Sequence, residues 1–170
     1  MRKDYDSIII MATQGDREAL GELYDDLHKG IYALALSITK SSQTAEDVVQ
    51  DTFVRICSSG TVFKSRGFGK AWVYKIARNL ALTTYKNAKR QVPDEDIEQV
   101  STETTVEDST INKVVLENAL TNLSDKERQV VMLHAVAGML HAEIASVLDI
   151  PVGTVKWRYS KAIKKLSKLV

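Results

Sequence analysis

Few residues in this chain can form crosslinks or interrupt a helix. The sequence has one cysteine and two prolines among its 170 residues. The lone Cys57 excludes an internal disulfide and has no second cysteine for a thiolate metal site, so we expect it to be a small buried residue. Because proline breaks helices, its scarcity together with long stretches of helical spacing predicts an all-α protein.

The sequence also lacks targeting and membrane signals. It contains no signal peptide and no apolar run long enough to span a bilayer. We therefore expect a soluble cytoplasmic protein that does not insert into a membrane.

Signatures of catalysis are missing as well. The three histidines, His28, His134 and His141, do not have the spacing of metal ligands to one another. There is no glycine-rich phosphate loop and no nucleophile motif. The sequence thus predicts no enzymatic activity, no cofactor, no metal and no small-molecule substrate.

Charge is strongly segregated along a chain whose net charge is only +1. Residues 52–93 contain no acid, and their bases are Arg55, Lys64, Arg66, Lys70, Lys75, Arg78, Lys86, Lys89 and Arg90. Residues 91–112 contain no base, and their acids are Asp94, Glu95, Asp96, Glu98, Glu103, Glu107 and Asp108. This asymmetry favours a polyanion-binding surface followed by an acidic, flexible linker.

The stretch from Leu140 to Leu169 has the pattern of a short helix, a tight turn and a longer helix. Asp149-Ile150-Pro151 forms the turn, with Asp149 at the position that usually favours glycine. Apolar residues of the second helix recur at three- and four-residue spacing, at Val155, Tyr159, Ala162, Ile163, Leu166 and Leu169. Its other side carries Lys156, Arg158, Lys161, Lys164, Lys165 and Lys168. This predicts a helix-turn-helix whose basic face enters a DNA major groove, with a helical hairpin and a solvated basic face as the simpler alternative.

Further amphipathic helices are predicted upstream. One spans residues 16–39, the next begins at a capping box on Thr44, and a third covers residues 70–90 with lysines and arginines on one face. The helical pattern resumes at Ile111. A capping box of Ser124 and Glu127 then starts a helix whose buried side includes Val136 and which ends at Gly138.

A glycine-containing loop, residues 58–69, precedes the basic helix. It holds Phe63 and Phe68, which either pack back on the core or offer stacking surfaces to unpaired bases. We expect Trp72, at the start of the helix, to belong to the core.

Two DNA-facing elements in one chain require something that fixes their separation. A lone small helix-turn-helix binds DNA weakly and usually dimerises, but the sequence has no extended heptad seam. Two sites on a flexible tether gain affinity only when their geometry allows both to bind at once. A large protein partner that holds both domains is therefore predicted.

Several segments of the chain resemble those of a known family, the RNA polymerase sigma factors of the extracytoplasmic-function type. AEDVVQDTFVRI (residues 45–56) is similar to the family's polymerase-clamp-binding helix, and AWVYKIARNLAL (residues 71–82) to its promoter-melting and minus-10-reading helix. LSDKERQVV and EIASVLDIPVGTVKWRYSKAIKKL are similar to its C-terminal domain. The resemblance implies two small helical domains, residues 1–90 and 113–170, joined by the acidic linker 91–112, with the helix-turn-helix in the second domain.

The resemblance also implies roles for particular residues. Contact with the clamp helices of the polymerase's largest subunit falls to Asp47, Val48, Gln50, Asp51 and Val54. The minus-10 element would be bound by Arg66, Phe68, Lys70, Lys75, Arg78, Asn79 and Lys86, the first three lying in or beside the loop that captures a flipped base. The minus-35 element would face Thr154, Lys156, Trp157, Arg158, Ser160 and Lys161. The implied partners are core RNA polymerase, through its clamp helices and flap, promoter DNA and an anti-sigma factor.

The chain departs from the family pattern in three places. Trp157 stands where serine is common, and the family often has a phenylalanine near Gly69 and an aspartate near Thr83. We expect Trp157 to lie outside the core, where it contacts either a thymine methyl or sugar, or a neighbouring helix or the linker.

Two other functions compete with the sigma-factor interpretation. A free-standing regulator would use the N-terminal half as a sensor and would need a ligand pocket and dimerisation. A sensor has no reason to carry the acidic face at Asp47–Asp51 or the basic stripe at Lys75–Lys89. An enzyme acting on nucleic acid would need an acid–base pair or a metal cluster, and the sequence offers neither.

Overall fold

The described part of the chain consists of helices and the loops between them, with no strand. The computed structural model describes residues 2–59, 63–64, 66–91 and 120–169. The helices are α1 (Tyr5–Thr13), α2 (Arg17–Thr39), α3 (Ser42–Ser59), α4 (Gly69–Gln91), α5 (Asp125–Val131), α6 (His141–Leu148) and α7 (Val152–Ser167). The prediction of an all-α fold is confirmed. The predicted linker, apart from Gln91, and the helical stretch from Ile111 to residue 119 lie outside the described residues.

Helices α1–α4 form the N-terminal bundle around α2. Asp16 caps α2 by accepting hydrogen bonds from the backbone N–H groups of Glu18 and Ala19. The apolar stripe of α2 is buried, with Leu23 and Ile31 fully inaccessible. Helix α1 was not predicted, although it buries Ile8 and Ile9 against the bundle.

Helix α3 begins earlier than the sequence predicted. The Oγ atom of Ser41 accepts the backbone N–H of Thr44 at 3.3 Å, and the Ser41 carbonyl accepts that of Ala45. Ser41 therefore satisfies the first turn, and Thr44 lies inside the helix. The prediction of Thr44 as the cap was wrong because a competing serine stood three residues upstream.

Helix α5 starts at the predicted capping box. Glu127 and Ser124 each bond the other's backbone N–H. The helix then widens into a π-helical turn, Met132–Val136. Because a π turn adds a residue to the repeat, it shifts the buried face by one position. Ala137 is buried in place of Val136, which is 50% exposed, so the prediction of a buried Val136 was wrong.

Helices α6 and α7 form the predicted helix-turn-helix. Asp149 adopts the left-handed conformation with φ 53°, and Pro151 lies immediately before α7. Val155 and Ala162 are fully buried. Ile163 is 40% exposed, contrary to expectation, because α5 packs on the neighbouring stripe that passes through Ala162.

The N- and C-terminal halves pack directly against each other. One hydrophobic cluster includes Leu34 and Tyr74 of the first half and Leu133 and Ile144 of the second. Helix α4 lies against α6, and α2 lies against α5 and its π turn. The sequence predicted two domains but not this contact. In the described residues no helix is long and apolar enough to cross a membrane.

Candidate nucleic-acid interface

An aromatic pocket opens at the N-terminus of α4. It has a volume of about 300 Å³ and is lined by Phe63, Lys64, Arg66, Phe68 and Trp72. The Phe63 and Trp72 rings lie 4.7 Å apart and tilted by 51°. Phe63 is half-buried and packs on the core, whereas Phe68 is 49% exposed. Phe63 thus packs back on the core, whereas Phe68 stays open to solvent and its stacking on bases remains a prediction. Trp72 is a pocket wall as well as a core neighbour.

The pocket is suited to a flat, electron-rich group with an adjacent negative charge. Aromatic faces stack on any base, and the two cationic side chains at the rim attract phosphate. Arg66 and Lys64 are both exposed. The predicted minus-10 residues Arg66 and Phe68 are brought together here.

The next turns of α4 carry three cations that contact the C-terminal half. The Lys70 Nζ donates to the Ala137 carbonyl at 2.6 Å, and the Arg78 Nε donates to the Gln129 Oε1 at 3.3 Å. Burial lowers the pKa of both Lys70 and Arg78. These two cations are therefore partly dehydrated by protein rather than exposed to solvent.

Lys75 makes the third contact between the halves. Its Nζ lies 2.8 Å from the Oδ1 of Asp149, the residue at the turn of the helix-turn-helix. Asn79 and Lys86 of the same predicted group stay exposed. In this conformation the middle of the α4 basic stripe is covered by α5, α6 and their turns.

One face of α3 is acidic and open to solvent. Asp47, Gln50 and Asp51 are exposed, and Val54 is 65% exposed beside them at helical spacing. An exposed valine framed by acids suits a protein partner more than a nucleic acid. Val48 is the exception among the predicted polymerase contacts, since it is 2% exposed and packs in the core. It lies one residue outside the polar face and cannot reach a partner there.

The expected burial of the single cysteine was also wrong. Cys57 is exposed, because it follows Ile56, which takes the buried position of the last turns of α3.

The outer face of α7 is basic and exposed. Lys156, Ser160 and Lys161 are exposed, and Trp157 is 61% exposed, so the prediction that it lies outside the core is confirmed. The Lys161 Nζ lies 4.9 Å from the centre of the Trp157 ring. Thr154 and Arg158 are half-buried at its edges. This face is the one that a helix-turn-helix presents to a major groove.

Comparison with protein families matches both halves. The model of sigma-70 region 2 matches residues 23–91, and that of sigma-70 region 4 matches residues 113–166. The chain is 28% identical over 171 residues to the ECF RNA polymerase sigma factor BldN of Streptomyces coelicolor, covering 96% of this chain and 64% of BldN. It is 29% identical over 172 residues to the ECF sigma factor SigW of Bacillus subtilis, covering 91% and 90%. This chain belongs to the extracytoplasmic-function sigma factors.

A solved structure of another sigma factor agrees with the fold. RpoE of Bartonella quintana, in complex with the anti-sigma factor NepR, matches with a TM-score of 0.72 and 28% identity, covering 88% of this sigma factor and 94% of that chain. Both the helical topology and the order of the two regions are therefore those of the family.

The structure of this sigma factor also brings together two histidines that sequence spacing did not connect. The rings of His134 and His141 lie 4.9 Å apart, and both contact Tyr159 of α7. Burial, His134 and Lys156 all lower the pKa of His141. The described residues contain no group of three or more metal-ligating side chains, so this cluster is an aromatic contact that joins α7 to the π turn.

Proposed function

We propose that this sigma factor binds core RNA polymerase and directs promoter-specific initiation through a minus-10 and a minus-35 element. One observation carries the proposal: a single chain combines an acidic face with an exposed valine, a basic helix beside an aromatic pocket, and a basic helix-turn-helix. No sensor or free-standing regulator needs all three. Two proteins that resemble it over more than nine-tenths of its length are ECF sigma factors.

The division of roles follows the three surfaces. Asp47, Gln50, Asp51 and Val54 on α3 bind the polymerase clamp helices, and α7 reads the minus-35 element from its exposed basic face. The α4 pocket takes a base flipped from the non-template strand. Flipping costs a few kcal/mol of unstacking, which stacking on Phe68 and Trp72 offsets.

The remaining roles are those of a dissociable subunit. Residues 1–90 form the polymerase-binding and minus-10 domain, residues 113–170 the minus-35 domain, and residues 91–112 the linker. The protein acts in the cytoplasm, without catalysis, a cofactor or a metal of its own. Because RpoE is held by an anti-sigma factor in its complex, an anti-sigma partner is proposed for this chain too.

The conformation described here must open before the promoter is bound. Lys70, Lys75 and Arg78 already donate hydrogen bonds to Ala137, Asp149 and Gln129, so their full contact with DNA phosphates requires these bonds to break. Polymerase separates the two halves and spaces them along the promoter, which exposes the α4 stripe.

Charge reversal on α3 tests the polymerase-binding role. Asp51→Lys should weaken binding to core polymerase by at least about tenfold, since it places a like charge in a complementary interface. The control Asp25→Lys makes the same charge change on the exposed part of α2 and should leave the affinity unchanged. Affinities come from competition for a fluorescently labelled native chain. Equal affinities for the native chain and Asp51→Lys would reject the assignment of this face.

A further inference from the structure

Helix α1 reaches across the bundle to the loop beside the aromatic pocket. Asp6 of α1 is buried, with 7% of its surface exposed. Its Oδ2 accepts the backbone N–H of Gly67 at 2.7 Å, and its Oδ1 accepts the backbone N–H of Gly69 at 2.7 Å. One carboxylate therefore accepts the backbone N–H groups of the two residues on either side of Phe68.

Both bonds constrain the direction in which Phe68 points. Gly67 has φ +78°, a conformation that a side chain rarely adopts, so the loop turns sharply just before the phenylalanine. The Phe68 carbonyl then accepts the Trp72 N–H at 2.9 Å as the first hydrogen bond of α4. Phe68 is thus held on one side by the Gly67 contact and on the other by the start of a helix.

Asp6 also supplies the negative charge that the start of α4 needs. The first N–H groups of a helix lack internal partners and carry partial positive charge, which a carboxylate stabilises. Here that carboxylate comes from another helix, 63 residues earlier in the chain. A charged acceptor makes stronger hydrogen bonds than a neutral one.

Gly69 is the residue that permits this approach. A Cβ at position 69 would lie 2.5 Å from the Asp6 Oδ1 and 2.8 Å from the Ile9 Cδ1. Contacts this short force the carboxylate or α1 to move. The glycine that departs from the family pattern is explained by the close packing of α1 on the loop.

We propose that Asp6 is a positioning residue for base capture: it fixes Phe68 and the pocket rim so that a flipped base meets a preformed stacking surface. Asp6 touches no DNA itself and acts through Gly67 and Gly69. Helix α1 precedes the matched region 2, residues 23–91, so the inference extends the minus-10 apparatus to a helix outside it. It rests on the proposed promoter-opening function.

The test compares intact and abasic single strands bound to holoenzyme. A promoter recovered by run-off transcription supplies non-template oligonucleotides of the minus-10 region, with an abasic site placed at each position in turn. The abasic penalty is the factor by which holoenzyme binds the intact strand more tightly than the strand that lacks one base. For holoenzyme with the native chain, this penalty peaks at the position whose base is flipped. With Asp6→Asn, that penalty should fall about tenfold, the value of one charge-assisted hydrogen bond, while affinity for core polymerase stays unchanged.

Two further variants separate positioning from general stability. Asp4→Asn removes the exposed negative charge at the cap of the same helix, where the side chain accepts the Ser7 backbone N–H. It therefore reduces the charge stabilisation of the α1 N-terminus without touching the loop. It should retain the abasic penalty. Gly69→Ala displaces the Asp6 carboxylate without removing it and should lose the penalty as Asp6→Asn does.

The outcomes distinguish the inference from the function on which it rests. If the native chain initiates nowhere, the sigma-factor proposal fails. If it initiates and both Asp6→Asn and Gly69→Ala keep the native penalty, Asp6 does not position the loop. The inference is also overturned if Asp6→Asn lowers affinity equally for intact and abasic strands and Asp4→Asn does the same, because α1 would then only support the bundle.

Discussion

At the scale of single residues, Glu127 links the capping of α5 to the lysines of α7. It is 4% exposed, and its carboxylate accepts the Ser124 backbone N–H and lies 2.8 Å from the Lys165 Nζ. Burial acts to raise its pKa, but the hydrogen bonds from Lys165 and Ser124 outweigh burial and hold the pKa below its usual value. Lys161 of the predicted minus-35 face is 3.8 Å away.

Replacing this carboxylate should destabilise the fold in a pH-dependent way. Glu127→Gln should lower the free energy of unfolding at pH 7 by about 2 kcal/mol, because two lysines lose their charged partner. Since the folded pKa is below the ordinary value, the stabilisation is present above that value and is lost as pH falls through the folded pKa. Urea unfolding at pH 7 and at decreasing acid pH measures the difference between native and variant. A difference that does not shrink in acid would contradict this account. As a control, Glu46→Gln at an exposed position should change the free energy of unfolding little at either pH.

The exposed Trp157 should affect promoter choice rather than folding. Trp157→Ser removes a large side chain that is 61% exposed and stacks only with Lys161 among the described residues. We expect the free energy of unfolding to change by less than about 0.5 kcal/mol, the usual effect of a surface substitution. The preference at one minus-35 position should change, as measured by selection from randomised upstream elements. An unchanged preference would instead assign Trp157 to a protein contact.

Local chemistry explains which single residues the sequence could predict. The turn at Asp149 and the outward position of Trp157 follow from proline, helical spacing and charge, and both are confirmed. Val136 and Ile163 were misplaced because their burial depends on a π turn and on the line along which α5 packs. Neither feature leaves a local signal in the sequence.

At the scale of helices, two glycines on α2 have opposite surroundings. A Cβ at Gly30 would lie 2.0 Å from the Tyr74 hydroxyl and 3.0 Å from the Ala137 Cβ. Gly30 therefore lets α2 approach both α4 and the end of the π turn. Gly21 has nothing within 4 Å of the same position.

The matched alanine variants should act in opposite directions. Gly30→Ala should destabilise the protein by about 1–3 kcal/mol, since an extra methyl overpacks the junction. Gly21→Ala should stabilise it by about 0.5–1 kcal/mol, since alanine favours a helix over glycine. Thermal unfolding of the three proteins measures both effects. A Gly30→Ala protein as stable as the native one would mean that the junction is not closely packed in solution.

Periodicity predicted the long helices well and the short one poorly. Helix α2 was predicted to within one residue, because its cap and its apolar stripe agree. Helix α1 has nine residues and few turns over which a pattern could repeat, so it was missed, and Asp6 with it. The hydrogen-bond partners of Asp6 are backbone groups more than sixty positions away, and no rule of sequence spacing connects them.

At the scale of the whole molecule, the two halves form one continuous core. The apolar contact of α4 with α6 is reinforced by the Lys75–Asp149 ion pair and by the bonds of Lys70 and Arg78. The sequence predicted that polymerase would set the spacing of two loosely joined domains. It could not predict their direct contact, because the apolar faces that meet are also adequate for burial within each half.

Opening of this contact can be followed by a distance measurement. The exposed Cys57 takes one spin label, and Lys168→Cys in the exposed end of the chain takes the second. The distance should lengthen when core polymerase and promoter DNA are added. A pair within the first half, Cys57 with Asp25→Cys, should not change. An unaltered Cys57–Lys168 distance in an initiating complex would show that the α4 stripe binds DNA without opening.

Run-off transcription with core polymerase and genomic promoter fragments tests the central claim most directly. We predict discrete transcripts that require this chain. Their amount should fall with Asp51→Lys and stay unchanged with Asp25→Lys. Polymerase that starts at the same sites with and without the chain would contradict it.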